Sequence, residues 1–168
     1  MMKSKKLQVS ILAIVLLFAV IVLSRPSVAP EDTGPVYEET VDGDLKLSLQ
    51  SVKNIYSAME RPQLTARIEY IGEKESIELY HPLPLCSISL LKNGEYLDQE
   101  KGIMDVQICT PISRGEVIEV QSNCKNDLKH TGWFSRKGEY TAEAAFRFST
   151  GRGGQEQTKR ISINISIE

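Results

Sequence analysis

The chain has 168 residues, of which 41% are hydrophobic and 25% charged, proportions that exclude wholesale disorder and fit one globular domain with an appended segment. Formal net charge is -2, but Lys3, Lys5, Lys6 and Arg25 flank an N-terminal apolar run; without those four, 16 basic side chains stand against 22 acidic ones, about -6. A body of that sign lacks the basic surface needed to neutralise phosphates, so nucleic acid is not an expected partner.

Residues Val9 to Leu23 are apolar except for Ser10. With Leu7 and Gln8 the run reaches 17 residues, near the minimum for crossing a hydrocarbon core. It has no polar face, which argues against a buried core helix. The preceding lysines place the N-terminus in the cytoplasm and the remainder across the membrane. The segment, residues 1–24, therefore reads as an apolar helix that is either a signal-anchor or a cleaved signal peptide. Val22-Leu23-Ser24 and Ser27-Val28-Ala29 offer small-residue cleavage spacing, the first with Pro26 close behind and the second followed directly by Pro30. No cysteine lies near the end of the run to carry a lipid. The expected location is the cell membrane, single-pass with the C-terminal domain outside the cytoplasm; secretion is the alternative.

From Arg25 to Asp44 the composition turns acidic and proline-rich, with Pro26, Pro30, Pro35, Glu31, Asp32, Glu38, Glu39 and Asp42. Such a stretch buries little and is expected to be a flexible spacer. Residues 45–168 then read as all-β. Alternation predicts strands at Leu45–Leu49 and Leu64–Tyr70, and a short one at Ile77–Leu79 ended by His81-Pro82-Leu83-Pro84. A strand over Leu85–Leu91 leads into Lys92-Asn93-Gly94-Glu95, a type I′ hairpin signal. Further strands are expected at Met104–Cys109 and Glu116–Gln121, separated by a turn or sheet crossing at Pro111–Gly115. Ser122–Phe134 reads as a long polar loop.

Gly138-Glu139-Tyr140 then opens the most regular strand, with Tyr140, Ala142, Ala144, Phe146 and Phe148 on one face and Thr141, Glu143 and Arg147 on the other. A glycine-rich tip at Ser149–Gly154 precedes the last strand, where Ile161, Ile163, Ile165 and Ile167 alternate with polar residues. The Gly-x-Tyr entry matches the tyrosine corner of immunoglobulin-like domains. The expected fold is a two-sheet immunoglobulin-like sandwich of seven to nine strands, preceded by one N-terminal apolar helix. In it the Tyr140 ring is buried and its hydroxyl bonded to backbone.

Cys86, Cys109 and Cys124 are the only cysteines, allowing one disulfide in an exported domain. Cys109–Cys124 encloses the shortest loop; Cys86–Cys109 would join two strands; no bond at all is the third option. A reactive cysteine lacks a Cys-x-x-Cys pair or a basic partner. Cys124, Asp127 and His130 share one loop, but their spacing matches no structural zinc pattern. No nucleophile elbow, phosphate loop or zinc-protease signature is present. No cofactor, metal or catalytic residue is expected. Trp133 and Phe134 either cap the core or form an aromatic contact for a partner. Asn164-Ile165-Ser166 fits a glycosylation sequon but lies within a predicted strand.

With these residues in view, the domain resembles the bacterial intracellular proteinase inhibitor family and related immunoglobulin-like surface domains. The likeness spans roughly residues 45 to 148. It rests on the leading strand, the Lys92-Asn93-Gly94 hairpin, the Gly115-Glu116 turn and the aromatic-plus-Gly-x-Tyr segment from Trp133 to Tyr140. The chain departs from the family pattern at Lys137, where proline is usual before the glycine, and in its export segment. The expected role is non-catalytic binding of a protein or cell-envelope partner. The resemblance implies an alternative, proteinase inhibition through a loop such as His81–Leu85 or Ser122–Trp133; no inhibitory residue carries over.

Overall fold

A computed structural model describes residues 34–58, 60–97, 104–122 and 136–168, and among these there is no helix. The N-terminal apolar run, Cys124, His130, Trp133 and Phe134 lie outside the described residues. The strands are β1 (Val36–Asp42), β2 (Leu45–Ser51), β3 (Ile55–Tyr56), β4 (Leu64–Tyr70), β5 (Ser76–Leu83), β6 (Cys86–Lys92), β7 (Glu95–Tyr96), β8 (Met104–Ser113), β9 (Val117–Gln121), β10 (Gly138–Phe148) and β11 (Gln157–Ile167). One sheet runs β1-β2-β4-β9, a second runs β3-β11-β10-β6-β7, and β5 and β8 form a separate two-stranded ribbon.

The two larger sheets make a β-sandwich-like core. Leu45, Leu47 and Leu49 of β2 and Ala66, Ile68 and Tyr70 of β4 share one hydrophobic cluster with Ala142, Ala144, Phe146 and Phe148 of β10 and the four isoleucines of β11. Along β10 the small inward residues Ala142 and Ala144 pair with the larger Ile163 and Ile161. Small and large side chains thus lie side by side on the inner face of this sheet, the arrangement by which close-packed cores interdigitate. Each fully buried Leu, Ile or Phe contributes roughly 1.5–3 kcal/mol of apolar transfer energy, so this cluster outweighs any surface ion pair.

Asn93 and Gly94 close the β6–β7 hairpin with φ of 53° and 82°. Those values suit the two central positions of the type I′ turn that Asn-Gly predicts. At the entry to β10, Gly138 has φ of 137°, open to glycine and rarely to others. Just beyond it the Tyr140 ring is buried, and its hydroxyl donates to the Arg136 carbonyl at 2.5 Å. Lys92 closes the corner from outside, its Nζ 4.6 Å from the centre of the Tyr140 ring and 3.1 Å from the Lys137 carbonyl.

Three expectations need correction. The spacer assigned to residues 25–44 contains a strand, since β1 pairs with β2 in continuous antiparallel register from Val36↔Ser51 to Asp42↔Leu45. Its residues are almost all exposed, so it lacks the alternation by which strands are read, and its acidic side chains resemble a linker. The short strand at Ile77 does not stop before His81 but runs to Leu83, and β8 passes through Pro111 to Ser113.

Backbone direction accounts for both prolines. Tyr80 exchanges main-chain bonds with Ser149, so its N–H and C=O point away from β8. Glu78 and Pro82 share that direction by alternation, and Pro111, opposite Glu78, points away from β5. Each missing N–H thus falls on the side the ribbon does not use. The ribbon itself is the third correction, an element additional to two sheets, and with it the strands among the described residues number eleven where seven to nine were expected.

Candidate binding surface

The β5–β8 ribbon carries apolar residues from the core outward. Its register sets Ile77 opposite Ile112, Leu79 opposite Thr110 and His81 opposite Ile108. Leu79 and Ile112 are fully buried, and Ile108 is partly exposed. The next apolar side chains along the ribbon, Leu83 and Val106, are 43% and 51% exposed. A stripe that starts in the core therefore surfaces at its far end.

His81 sits at the joint. The register shifts between His81 and Leu83, and the imidazole there is buried. Its Nδ1 lies 2.7 Å from the Pro82 carbonyl, which only accepts, so Nδ1 carries the proton. Nε2 lies in hydrogen-bond contact with the Thr110 hydroxyl at 2.9 Å. Both ring nitrogens are used in holding the irregular segment, and this histidine is a structural lock. The stretch His81–Leu85 is accordingly no free loop.

The opposite ribbon face is polar. Tyr80 donates to Glu78 Oε2 at 2.5 Å, and that bond to a carboxylate holds the phenol proton, pushing the Tyr80 pKa up to about 12. Cys109, also beside Tyr80, is exposed and free. Cys86 is a free thiol within β6, buried, and its pKa is pushed up to about 12 by loss of solvent. The structure thus shows Cys86 and Cys109 unbonded, one in the core and one at the surface. An inward thiol at this pKa is a packing group with no nucleophilic character near neutrality.

Two further polar constellations lie on sheet faces. On the second sheet, Glu143 accepts from Tyr96 at 2.7 Å and from Arg160 at 2.5 Å. Small neighbours make room for this staple: Ser89 lies opposite Glu143 in β6, and Ala145 opposite Arg160 in β11. On the first sheet, Lys46 pairs with Glu69 at 3.0 Å and Arg67 with Glu119 at 2.9 Å. In both sets a basic side chain sits against a carboxylate, and Lys46 also reaches Glu39 at 3.9 Å. Among the described residues no group of three or more His, Cys, Asp or Glu side chains is placed to hold a metal ion.

The surfacing of the ribbon was hidden in the sequence because His81-Pro82-Leu83-Pro84 reads as a strand end. The alternation of Val106, Ile108 and Ile112 with Gln107, Cys109 and Pro111 was its one visible signal. No family model matches the chain, and no curated protein is significantly similar to it.

Proposed function

We propose that this chain is an exported, membrane-tethered, immunoglobulin-like domain that acts by binding a protein or cell-envelope partner, without catalysis. The observation that carries the reading is the ribbon stripe, buried at Leu79 and Ile112 and exposed at Leu83 and Val106. An apolar end on a rigid two-stranded support presents contact area at little ordering cost. Support for the immunoglobulin-like assignment comes from the strand order of the two larger sheets, the parallel β3–β11 pair and the Tyr140 corner. Support for the tether comes from the 17-residue apolar run behind three lysines.

The alternative is proteinase inhibition: of His81–Leu85 only Leu83 and Pro84 are exposed, a short contact for a protease cleft, and Ser122–Trp133 lies, apart from Ser122, outside the described residues. A subtilisin-like protease titrated with the full chain in detergent is expected to keep its activity at micromolar chain. Stoichiometric loss of activity would support the inhibitor reading. For the tether, membrane fractionation with N-terminal sequencing is expected to recover the intact start; a mature chain beginning near Arg25 contradicts it. Leu83→Asp and Val106→Asp are expected to abolish partner capture while leaving the melting temperature close to that of the parent.

A further inference from the structure

Sheets with open edges invite pairing with another chain, and most edges of this domain are guarded. β1 carries Glu38, Glu39 and Asp42 along its edge, β3 and β7 have two residues each, and β8 has Pro111 and the register shift. β9 differs. Its five residues keep unbroken register with β4 from Thr65↔Gln121 to Glu69↔Val117, and they include no proline. Its one charge, Glu119, is matched by Arg67 Nε at 2.9 Å.

Among the described residues no strand lies beyond β9, and the direction of its outer groups follows from the bonds at either end. Gly115 N–H donates to Tyr70 O at 2.8 Å, and Ser122 N–H to Leu64 O at 2.9 Å. Leu64, Ala66, Ile68 and Tyr70 therefore turn their main-chain groups toward β9, and Ile118 and Val120 turn theirs back. Val117, Glu119 and Gln121 point their N–H and C=O groups outward, and all three residues are exposed.

We propose that β9 pairs antiparallel with β9 of a second copy, across a two-fold axis at Val120, joining two four-stranded sheets into one. Charge selects both the occupant and the register. A two-fold at Glu119 opposes two carboxylates, and one at Ile118 sets Val117 against the partner's Glu119. At Val120, Glu119 meets the partner's Gln121, a carboxylate against a carboxamide donor. The same two side chains already bond within one chain, Gln121 Nε2 to Glu119 Oε1 at 2.9 Å. β1 self-pairing, by contrast, sets Glu38 against the partner's Asp42 for a two-fold at Thr40, and Glu39 against its own copy for one at Glu39. The half-exposed Ile118 and Val120, both packed on the core, gain cover at such a joint. This inference stands apart from the ribbon reading.

The test uses the full chain in detergent micelles, followed by sedimentation equilibrium. Wild type is expected to dimerise reversibly. Gln121→Pro removes the outward N–H without touching a β4 bond, deleting half of the main-chain bonds of the pair, and is expected to abolish the dimer. Gln121→Glu, which faces the partner's Glu119, is expected to weaken it about tenfold, whereas Gln121→Lys preserves it. In membranes, Val120→Cys with Cys109→Ser and Cys124→Ser is expected to form an intermolecular disulfide, because a non-hydrogen-bonded antiparallel pair holds its Cα atoms about 4.5 Å apart. A monomeric wild type overturns the proposal, as does a dimer that Gln121→Pro leaves unchanged or a Val120→Cys chain that does not cross-link.

Discussion

Tyr140 shows how one side chain fixes an element. Its ring fills the core while its hydroxyl holds the Arg136 carbonyl and receives Lys92 Nζ at 3.2 Å. Tyr140→Phe keeps the ring and removes both of these hydroxyl bonds, so we expect about 1–2 kcal/mol less stability in denaturant melts with partner binding unchanged. Glu60 makes a pH-dependent counterpart. The bond from Lys53 first, and the Ser57 N–H second, hold its carboxyl below the usual range. A folded value below the unfolded one means the stabilisation is present above the ordinary carboxylate range and lost as pH falls through the folded value. The melting-temperature gap between wild type and Glu60→Gln is therefore expected near neutrality and should close in acid; a gap that persists there contradicts the assignment. The thiols separate by burial. A maleimide is expected to label Cys109 in the native chain and to reach Cys86 only after denaturation.

At the scale of elements, β1 is the informative case. Val36–Asp42 covers one edge of β2, and the Asp42 carboxylate reaches Lys159 of β11 at 2.9 Å. A chain shortened to begin at Leu45 would bare the edge of β2, and is expected to melt lower and aggregate at concentrations where a chain begun at Thr33 stays soluble. Equal melting and solubility would make β1 dispensable. The same strand marks the limit of what sequence pattern reveals. Leu64–Tyr70 and the β10 and β11 cores were legible because one face of each is buried and the other wet, which imprints a period of two. β1 has no buried face and imprints nothing. The ribbon was half legible: alternation marked Ile77–Leu79 and Met104–Cys109, but the prolines hid its length, since which edge a missing N–H faces is settled by pairing across the sheet. The Asn93-Gly94 hairpin and the Tyr140 corner were readable because each depends on local backbone chemistry. Leu83 and Val106 as exposed apolar residues were not, because exposure is decided by what packs nearby.

For the molecule as a whole, the sandwich supplies a rigid body and the ribbon supplies an apolar end that this body does not cover. Singly exposed apolar residues are ordinary on protein surfaces; Val52, 56% exposed beside β2, is one. Leu83 and Val106 differ in continuing a stripe that begins in the core. The most direct test places a photoreactive amino acid, one position at a time, at Leu83, Val106 and Val52 of the full chain in the cells that make it. Irradiation is expected to give one adduct of defined mass at Leu83 and Val106 and none at Val52. The same adducts at Val52, or none at either ribbon position, would contradict binding through the ribbon.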